Sequence, residues 1–337
     1  MSAAPPISVL LPVRDGAEHL DDAIRSLEAQ TFADFEVLAV DDGSRDGTTD
    51  ILRRWAARDG RVRVLRQPPE GIVAALERAR GEARGAYLAR MDADDVSDPD
   101  RFAAQHAWMA TRRDVALCGC GVTYFPQSAL RDGARRYERW INGCTTHEDI
   151  ERNLFVECPV AHPTFFMRAA AVARAGGYRD AGWAEDYDLV LRLWSGGEQL
   201  GKVPATLLRW RAGPGRLSHT DGRYGARAFL ACKIHHLRAT LLAGGRRTVI
   251  WGAGPIGKAA ARALRAAGTE VAAFVELNPR KLGQRIHRTP VVGVEEALEI
   301  RGVLHLAAVG QPGARDRLRG LLRGAGLSEV RDFVAIA

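Results

Sequence analysis

Two apolar segments, each ending in acidic residues, constrain the fold of this chain more than any other feature. The first is Val37–Ser44 (VLAVDDGS) and the second is Tyr87–Asp95 (YLARMDADD). Short apolar runs of this kind are typical of strands buried in a parallel sheet. Open α/β sheets bind ligands outside the carboxyl ends of their strands, so both acidic clusters are predicted to lie at a functional site.

Strand-like and helix-like patterns alternate through the N-terminal part of the chain. The predicted strands are Ile7–Pro12, Phe35–Val40, Val62–Leu65 and Ala86–Met91. Between them, apolar residues recur at the spacing of one helix face. This alternation predicts βαβ units and a largely parallel sheet. Further along, Val115–Phe125 is predicted to form a strand pair and Glu185–Ser195 a helix.

Composition places the chain among globular proteins. It has 337 residues, of which 46% are hydrophobic and 26% charged, so a core and two domains are expected. Its net charge of +7 suits acidic partners such as nucleotide diphosphates, an anionic lipid surface or nucleic acid. The alternative is an arginine-rich composition with no specific partner, which the scattered rather than clustered positive charges favour. We expect no nucleic-acid partner.

Several features bear on the compartment. No apolar run reaches the ~18 residues that span a bilayer, and the N-terminus lacks the basic segment of a signal peptide. The odd number and irregular spacing of the five cysteines favour reduced, buried thiols. We therefore expect a cytoplasmic protein. A basic amphipathic helix predicted over Tyr224–Ala243 fits either peripheral contact with the inner face of the membrane or packing between two domains.

The C-terminal region repeats the strand, glycine turn and helix pattern. Gly252, Gly254 and Gly257 follow a predicted strand and open a helix, and Glu276 ends the next strand. That arrangement is the fingerprint of a dinucleotide-binding unit. Roughly ninety residues are too few for a dehydrogenase with its own catalytic domain. We expect a Rossmann-like domain that either binds a nucleotide or dinucleotide, or serves packing and homo-oligomerisation.

Asp92, Asp94 and Asp95 form the densest acidic cluster. Their mutual repulsion is costly unless a cation, a helix N-terminus or water offsets it. The simplest offset is a hard divalent metal bound by carboxylate oxygens, with a nucleotide diphosphate as the other ligand. The alternative is a set of aspartates that cap the helix beginning near DPDRF.

Taken together, these motifs resemble family 2 glycosyltransferases with the GT-A fold. The matching segments are Ile7–Thr48, Gly71–Phe102, Ala161–Arg168 and Gly176–Leu193. They occur in the order of the family and cover about two-thirds of the chain. The resemblance implies an α/β GT-A domain with a mixed, mostly parallel sheet over residues 1–221. A linking helix with a Gly-Gly linker (222–246) would join it to the Rossmann-like domain (247–337).

The resemblance also implies a donor site. Asp42 would read the nucleobase with support from Asp41, and the residues that wall the base and ribose would be Pro12, Val13 and Arg14. Asp94 would bind Mn²⁺ or Mg²⁺ directly, and Asp92 would contact the ribose or the water shell of the metal. His219, in a loop over the diphosphate, is a candidate third metal ligand.

Acceptor chemistry is implied for the segment that opens the helix at residue 185. Asp186 would be the general base that deprotonates the acceptor hydroxyl, and Glu185 would orient the acceptor or the base. The alternative is an acidic first turn that complements the helix dipole. His162 and Trp183 are expected beside the sugar or acceptor, with a structural role as the alternative for each.

The expected function is inverting, metal-dependent transfer of a sugar from a nucleotide-diphosphate sugar to a hydroxyl of a glycan or lipid-linked acceptor. This chemistry belongs to polysaccharide or cell-envelope glycan synthesis. Two alternatives are an NAD(P)-linked oxidoreductase working through the C-terminal glycines and a non-catalytic scaffold that binds sugar nucleotides. Glu77 stands where similar sequences often have Asn, and Arg14 where they often have an aromatic residue. Both positions bear on the donor, for which we favour a UDP-sugar.

Overall fold

A computed structural model describes residues 4–213, 215–311 and 313–337, without the side chains of Ala129, Ser218 and His219. Residue contacts divide the described chain into two compact units. The first contains the residues up to Ile150, Pro159–Ala181 and Glu185–Thr220. The second contains Glu151–Cys158, Gly182–Ala184 and Asp221–Ala337.

Strands and helices alternate at the start of the first unit. Its strands are β1 (Ile7–Val13), β2 (Phe35–Asp42), β3 (Val62–Gln67), β4 (Tyr87–Arg90), β5 (Val96–Ser97), β6 (Val115–Phe125), β7 (Phe166–Arg168) and β8 (Gln199–Arg211). Its helices are α1 (Leu20–Glu28), α2 (Thr48–Arg58), α3 (Ile72–Glu82), α4 (Arg101–Ala110), α5 (Asp132–Gly143), α6 (His147–Asn153), α7 (Ala169–Arg174), α8 (Glu185–Ser195) and α9 (Leu217–Thr220). The last three residues of α6 belong by their contacts to the second unit.

These strands form one mixed sheet in the order β3-β2-β1-β4-β7-β6-β8-β5. The neighbours from β3 to β4 are parallel, whereas β7 is antiparallel to both β4 and β6. β1 and β2 are buried almost throughout, as expected for central strands covered by helices on both faces. The parallel half therefore brings the carboxyl ends of β1, β2 and β4 to one edge.

β6 corrects one sequence-based prediction. The strand pair predicted over Val115–Phe125 is wrong, because the segment is one continuous strand that pairs in parallel with β8. Two glycines within this strand are sites of close packing. A Cβ on Gly119 would lie 2.4 Å from Val160 Cγ1, and one on Gly121 would lie 3.0 Å from Thr206 Oγ1.

The second unit has its own sheet and helices. Its strands are β9 (Arg247–Trp251), β10 (Val271–Val275), β11 (Arg285–Ile286), β12 (Thr289–Val292), β13 (Val303–Ala307) and β14 (Phe333–Ala335). Its helices are α10 (Ala226–Ala239), α11 (Pro255–Ala266), α12 (Val294–Glu299) and α13 (Ala314–Gly324). The strand order is β11-β12-β10-β9-β13-β14, and every pair except β11 and β12 is parallel. A glycine turn joins β9 to α11, as the fingerprint predicts.

Two further observations concern the whole described chain. All five cysteines are buried, and none of them forms a disulfide within the described residues. Among the residues that the structure describes, every helix is too short or too polar to cross a membrane.

Candidate functional site

Asp42 ends β2 in a network of hydrogen bonds. Its carboxylate accepts from the Gln67 side-chain amide at 2.8 Å and from the backbone N–H groups of Glu70 at 2.8 Å and Gly71 at 2.9 Å. Arg14 lies across from it, with its guanidinium 3.8 Å from Asp42 Oδ2. The position predicted to read the base is therefore held in place by donors from the end of β3 and the start of α3.

Asp41 is fully buried and supports the same strand end. It accepts hydrogen bonds from the Ser44 backbone N–H at 3.0 Å and the Thr49 hydroxyl at 2.5 Å. Burial raises the pKa of the Asp41 carboxyl, but the hydrogen bonds from Thr49 and Ser44 outweigh it, so the pKa lies below its usual value. Asp41 is thus an ionised carboxylate that fixes the turn between β2 and α2.

The turn after β1 is tied to the turn after β2. Val13 is buried, Pro12 is half-buried and Arg14 is exposed. Asp15 has a left-handed backbone (φ 48°), and its carboxylate accepts from the Arg45 backbone N–H at 2.7 Å. The predicted donor residues of β1 and β2 therefore lie on one connected surface at the sheet edge.

Asp92, Asp94 and Asp95 converge after β4. Each offers a carboxylate oxygen, and the three oxygens lie within 4.8 Å of one another. Asp95 Oδ1 accepts from the Arg211 backbone N–H at 2.7 Å, whereas its Oδ2 is buried with no hydrogen-bond partner among the described residues. Three converging carboxylates with an unsatisfied buried oxygen fit a hard divalent cation such as Mn²⁺ or Mg²⁺.

The electrostatics of this cluster favour a cation as well. Burial raises the pKa of the Asp95 carboxyl well above its usual value, and the charges of Asp92 and Asp94 add to the effect. Burial and Asp92 also raise the pKa of Asp94. Each shift measures the cost of keeping another negative charge in the cluster, and a bound cation would remove that cost.

Two arginines border the acidic cluster. Arg211 donates to the Asp94 backbone carbonyl at 2.7 Å and to Asp22 Oδ2 at 2.9 Å. The Arg216 guanidinium stacks 4.3 Å from the centroid of the Trp210 ring, and its positive charge lowers the pKa of Asp94. Both arginines lie on the side of the cluster formed by β8 and the segment after it.

Arg90 connects the acidic cluster to the predicted acceptor side. It is 1% exposed at the end of β4, and it donates to Asp92 Oδ1 at 2.6 Å. Burial lowers the pKa of Arg90, but Asp92, Tyr178 and Glu185 together raise it by more, so the pKa lies above its usual value. The Arg90 guanidinium therefore stays positively charged and interacts with Asp92 on the donor side and with Glu185 on the acceptor side.

Glu185 and Asp186 open α8, as predicted. Glu185 is fully buried, whereas Asp186 is partly exposed and its Oδ1 accepts from the Tyr187 backbone N–H at 2.7 Å. Asp188 points elsewhere and pairs with Arg192 Nε at 2.7 Å. Among these three acids, Asp186 has the exposure that a group reacting with an acceptor needs.

His162 lies in the interior beside Glu185. Its Nε2 is 3.1 Å from the Tyr178 hydroxyl, and its Nδ1 is 3.6 Å from Glu185 Oε1. Burial and the charge of Arg90 hold the pKa of His162 well below its usual value, so the ring is neutral near pH 7. This placement links His162 to Glu185, and the ring has little surface left for a sugar.

Glu77 positions Tyr178 from a distant part of the chain. Its Oε1 accepts from the Tyr178 backbone N–H at 2.6 Å, and Arg80 donates to both Glu77 oxygens. The preceding Gly177 has φ +67°, and a Cβ there would lie 2.5 Å from Glu77 Oε1. The Glu that departs from the family pattern therefore has a structural task beside the candidate base.

The remaining predicted site residues of this part of the chain are Trp183 and His219. The half-buried Trp183 belongs to the second unit, where its ring centroid is 5.2 Å from that of His235. The side chain of His219 is outside the described part of the structure, so its predicted role as a metal ligand stays a prediction.

In the second unit, the fingerprint residues surround the glycine turn after β9. Gly252 has φ +109°, and a Cβ on Gly257 would lie 1.9 Å from the Gly252 carbonyl oxygen. Gly254 immediately precedes α11. Glu276, the acidic residue of the fingerprint, is paired with Lys281 Nζ at 2.6 Å. Backbone conformation and close packing are therefore sufficient to explain glycine at positions 252 and 257, and the Glu276 carboxylate is held in an ion pair with Lys281.

Sequence reasoning missed Arg90, Tyr178 and Gln67. Arg90 had a visible signal, because it is a charged residue in an otherwise apolar strand (YLARM), and such a residue needs buried partners. Tyr178 and Gln67 had none, since their roles depend on contacts between distant segments.

The chain is similar to known glycosyltransferases. The sequence model described as Glycosyl transferase family 2 matches residues 8–176. The putative glycosyltransferase EpsE of Bacillus subtilis (strain 168) is 30% identical over 58% of this chain and 69% of its own length. The amylovoran biosynthesis glycosyltransferase AmsE of Erwinia amylovora is 29% identical over 64% of this chain and 79% of its own.

Solved structures share the fold at low sequence identity. S. aureus TarS 1-349 in complex with UDP-GlcNAc has a TM-score of 0.56 and 15% identity, covering 69% of this chain and 66%, just under two-thirds, of its own. The mannosyltransferase PcManGT from Pyrobaculum calidifontis, in complex with GDP-Man and Mn²⁺, has a TM-score of 0.53 and 19% identity, covering 79% of this chain and 76% of its own. Together with the two sheets, these likenesses confirm the predicted α/β GT-A fold class.

Proposed function

This chain belongs to glycosyl transferase family 2, and from that premise we propose that it is an inverting, metal-dependent enzyme. It would transfer a sugar from a nucleotide-diphosphate sugar, with a UDP-sugar favoured, to a hydroxyl of a glycan or lipid-linked acceptor. The reaction would serve polysaccharide or cell-envelope glycan synthesis. The observation that carries the proposal is that buried Arg90 connects two groups of carboxylates. It donates a hydrogen bond to Asp92 of the Asp92–Asp95 cluster, and the charge of Glu185, which directly precedes Asp186, raises its pKa.

On the donor side, the chain offers binding and orientation. Asp94, Asp92 and Asp95 would hold Mn²⁺ or Mg²⁺, which would supply positive charge to the diphosphate as it departs. Asp42, fixed by Gln67, would face the base, and the ends of β1 and β2 would wall the nucleoside. Arg216 carries further positive charge beside the cluster. His219 remains a proposed metal ligand.

On the acceptor side, the chain offers a base. The acceptor oxygen would attack C1 of the sugar while its proton passes to the Asp186 carboxylate. The bond between C1 and the phosphate oxygen breaks, the nucleoside diphosphate leaves with the electron pair, and the configuration at C1 inverts. Glu185 would orient Asp186 or the acceptor. Its own place beside Arg90 and His162 suits a fixed carboxylate better than a group that exchanges protons.

Relatives and structural neighbours support the choice of donor and process. The name of AmsE refers to amylovoran biosynthesis. Another relative, WbnJ of Escherichia coli, is named as an O-antigen biosynthesis glycosyltransferase. The neighbours are complexed with UDP-GlcNAc or with GDP-Man and Mn²⁺. These ligands favour a nucleotide-sugar donor for this chain, and the two different bases define the first panel to test.

Calorimetric titration with UDP-, GDP-, dTDP- and CMP-sugars, with and without Mn²⁺, tests the donor site. We expect one base to bind in an Mn²⁺-dependent manner. Asp94→Asn should weaken that binding at least tenfold, whereas Asp34→Asn, which alters an exposed acid outside the site, should leave it unchanged. Binding that is indifferent to both Mn²⁺ and Asp94→Asn would overturn the metal assignment.

Transfer itself tests the base. With the donor identified, Asp186→Asn should lower kcat by about 10²- to 10⁴-fold, the range for losing a general base, with donor binding retained. Proton NMR of the product gives the configuration at C1. A product with the donor's configuration would rule out the single displacement proposed here.

A further inference from the structure

Helix α5 has two chemically different faces. Its apolar residues pack on the core of the first unit, with Ile141 buried and Ala134, Tyr137 and Trp140 partly buried. The opposite face is exposed and carries four arginines, here called the α5 arginine stripe: Arg131, Arg135, Arg136 and Arg139. Their successive spacings of four, one and three residues place them on one side of the helix, starting from the residue that precedes it.

Among the residues that the structure describes, no arginine of the α5 arginine stripe forms an ion pair. The helix has two acids: Asp132 lies on the side of the stripe without forming an ion pair among the described residues, which leaves this side with a net positive charge, and Glu138 is turned away and accepts from the Tyr124 backbone N–H at 2.7 Å. Some exposed arginines elsewhere in the first unit do find partners, as in the pairs Arg58 with Glu28 and Arg174 with Glu198, and others lie singly without one; the stripe differs in that four such arginines lie together. Like charges one turn apart repel, so the stripe is unfavourable unless something anionic faces it.

Helix α5, which carries the stripe, is hydrogen-bonded to the sheet that forms the candidate active site. The Asn142 side chain accepts from Val122 N–H at 2.9 Å and donates to the Val122 carbonyl at 2.8 Å, which fixes α5 to β6. β6 pairs with β8, and Arg211 of β8 contacts Asp95. A ligand bound to the stripe would therefore contact a helix that is connected to the acidic cluster through β6 and β8.

We propose that the α5 arginine stripe docks the protein on the anionic surface of a phospholipid bilayer. The stripe extends about 12 Å along a convex helix face, since eight residue steps at 1.5 Å separate its ends. One small anion could not meet all four side chains, whereas a plane of phosphate headgroups offers each guanidinium its own partner. The predicted basic helix is a weaker candidate, because Lys233 and His236 of α10 are buried in the second unit.

The inference goes beyond the proposed reaction and needs only α5. Its consequence for that reaction is one of location, because an enzyme held at headgroup depth meets an acceptor carried on a lipid without searching the solution. Binding to vesicles can be measured with no donor or acceptor present, so a failure here is distinguishable from a failure of the proposed chemistry.

Vesicle co-sedimentation of the full chain tests the proposal. We expect binding to vesicles of phosphatidylglycerol and phosphatidylcholine at 50 mM NaCl, no binding to pure phosphatidylcholine, and release at 500 mM NaCl. The triple variant R135Q/R136Q/R139Q should bind far less, since each arginine near such a surface is worth about a fivefold change in partition coefficient. Arginine-to-lysine changes at the same three positions should retain most of the binding.

A matched control separates the stripe from the net charge. The variant R54Q/R78Q/R113Q also removes three exposed arginines that form no ion pair within the described residues, and it should bind like the parent. Equal loss in both triple variants would overturn the proposal, as would no sedimentation of the parent at 50 mM NaCl. Retention of duplex RNA by the parent without vesicle binding would assign the stripe to nucleic acid instead. Matching thermal melts of both variants establish that each is folded.

Discussion

At the residue scale, the described site depends on side chains that hold other side chains. Glu77 accepts from the Tyr178 backbone N–H across 101 positions of sequence, Tyr178 contacts His162, and His162 lies beside Glu185. None of these residues needs to touch a substrate to matter. Each limits how far the start of α8, with Asp186, can shift.

Substitution of Glu77 tests this positioning. Glu77→Ala leaves the Tyr178 N–H without its acceptor, at a cost of about 1–3 kcal/mol, and should lower kcat about tenfold or more with little change in the donor KM. Glu77→Gln keeps an acceptor oxygen and should retain most of the activity. Initial rates at varied donor concentration make the comparison, with Arg78→Gln on the exposed face of α3 as control. A rise in donor KM at constant kcat would place Glu77 in donor binding instead.

Asp95 should show opposed effects on stability and metal binding. Its raised pKa means that ionisation is disfavoured in the folded state, so its contribution to stability is present at low pH and is lost as pH rises through the folded pKa. Asp95→Asn should therefore raise the metal-free free energy of unfolding at pH 7 by about 1–3 kcal/mol, while weakening Mn²⁺ binding. Thermal melts with and without Mn²⁺ measure both. A variant that is less stable without metal would contradict this account.

Residue-level prediction from sequence succeeded where neighbours in the chain are neighbours in space. The convergence of Asp92, Asp94 and Asp95 follows from their adjacency after a strand, whatever their roles prove to be. The donors to Asp42 could not be anticipated, because Gln67 and the start of α3 meet it only once β2 and β3 pair.

At the scale of elements, the glycine turn between β9 and α11 illustrates what a motif can mean. The fingerprint was predicted from ligand chemistry, yet Gly257 is required by packing alone, since a Cβ would overlap the Gly252 carbonyl. Strand and helix alternation was predictable from periodicity. The continuity of β6 was not, because glycines chosen for close contact with Val160 and Thr206 look like turn residues in the sequence.

The two glycines of the turn provide a matched test. Gly257→Ala should lower the stability of the second unit by about 1–3 kcal/mol or more, because the backbone must shift to admit the methyl group. Gly254→Ala should be nearly neutral, since nothing lies within 4 Å of its Cβ position and its φ is −80°. Chemical denaturation followed by circular dichroism distinguishes them. Equal effects would show that the turn is not packed as described.

The β9–β13 pair carries a built-in acid sensitivity. His305 accepts a hydrogen bond from Trp251 Nε1 at 3.0 Å, and burial, helped by Arg246, lowers its pKa to about 4. Because the folded pKa lies below the unfolded value near 6.5, the stabilisation is present above pH 6.5 and is lost as pH falls toward 4.

Between pH 7 and pH 5 this loss should amount to about 2 kcal/mol. His305→Gln keeps an acceptor for Trp251 but cannot be protonated in this range, so its unfolding free energy should fall less over the same interval. Tryptophan fluorescence during urea unfolding at the two pH values measures the difference. Identical pH dependence in the parent and the variant would show that His305 does not titrate as described.

At the scale of the whole molecule, the fold class was predictable from the sequence, whereas the contacts that group distant segments into one unit were not. Periodicity and motif order were sufficient for a GT-A sheet followed by a second α/β unit. The assignment of Glu151–Cys158 and Gly182–Ala184 to the second unit leaves no trace in composition. It depends on contacts such as Lys233 Nζ to the Val156 carbonyl at 2.7 Å and Arg319 to the Arg152 carbonyl at 2.6 Å.

That discontinuous second unit has a consequence for heredity. A genetic crossover near codon 220 would exchange the C-terminal segment of two related genes but leave residues 151–158 and 182–184 with the other parent. Arg319 and His235 would then meet side chains from a foreign lineage, where this chain places Asn153 Oδ1 3.3 Å from the Arg319 guanidinium and the Trp183 ring against His235. Changes in Glu151–Cys158 and Gly182–Ala184 would have to accompany the exchange to restore these contacts. We therefore expect the two parts of the gene to be inherited together rather than exchanged independently between relatives.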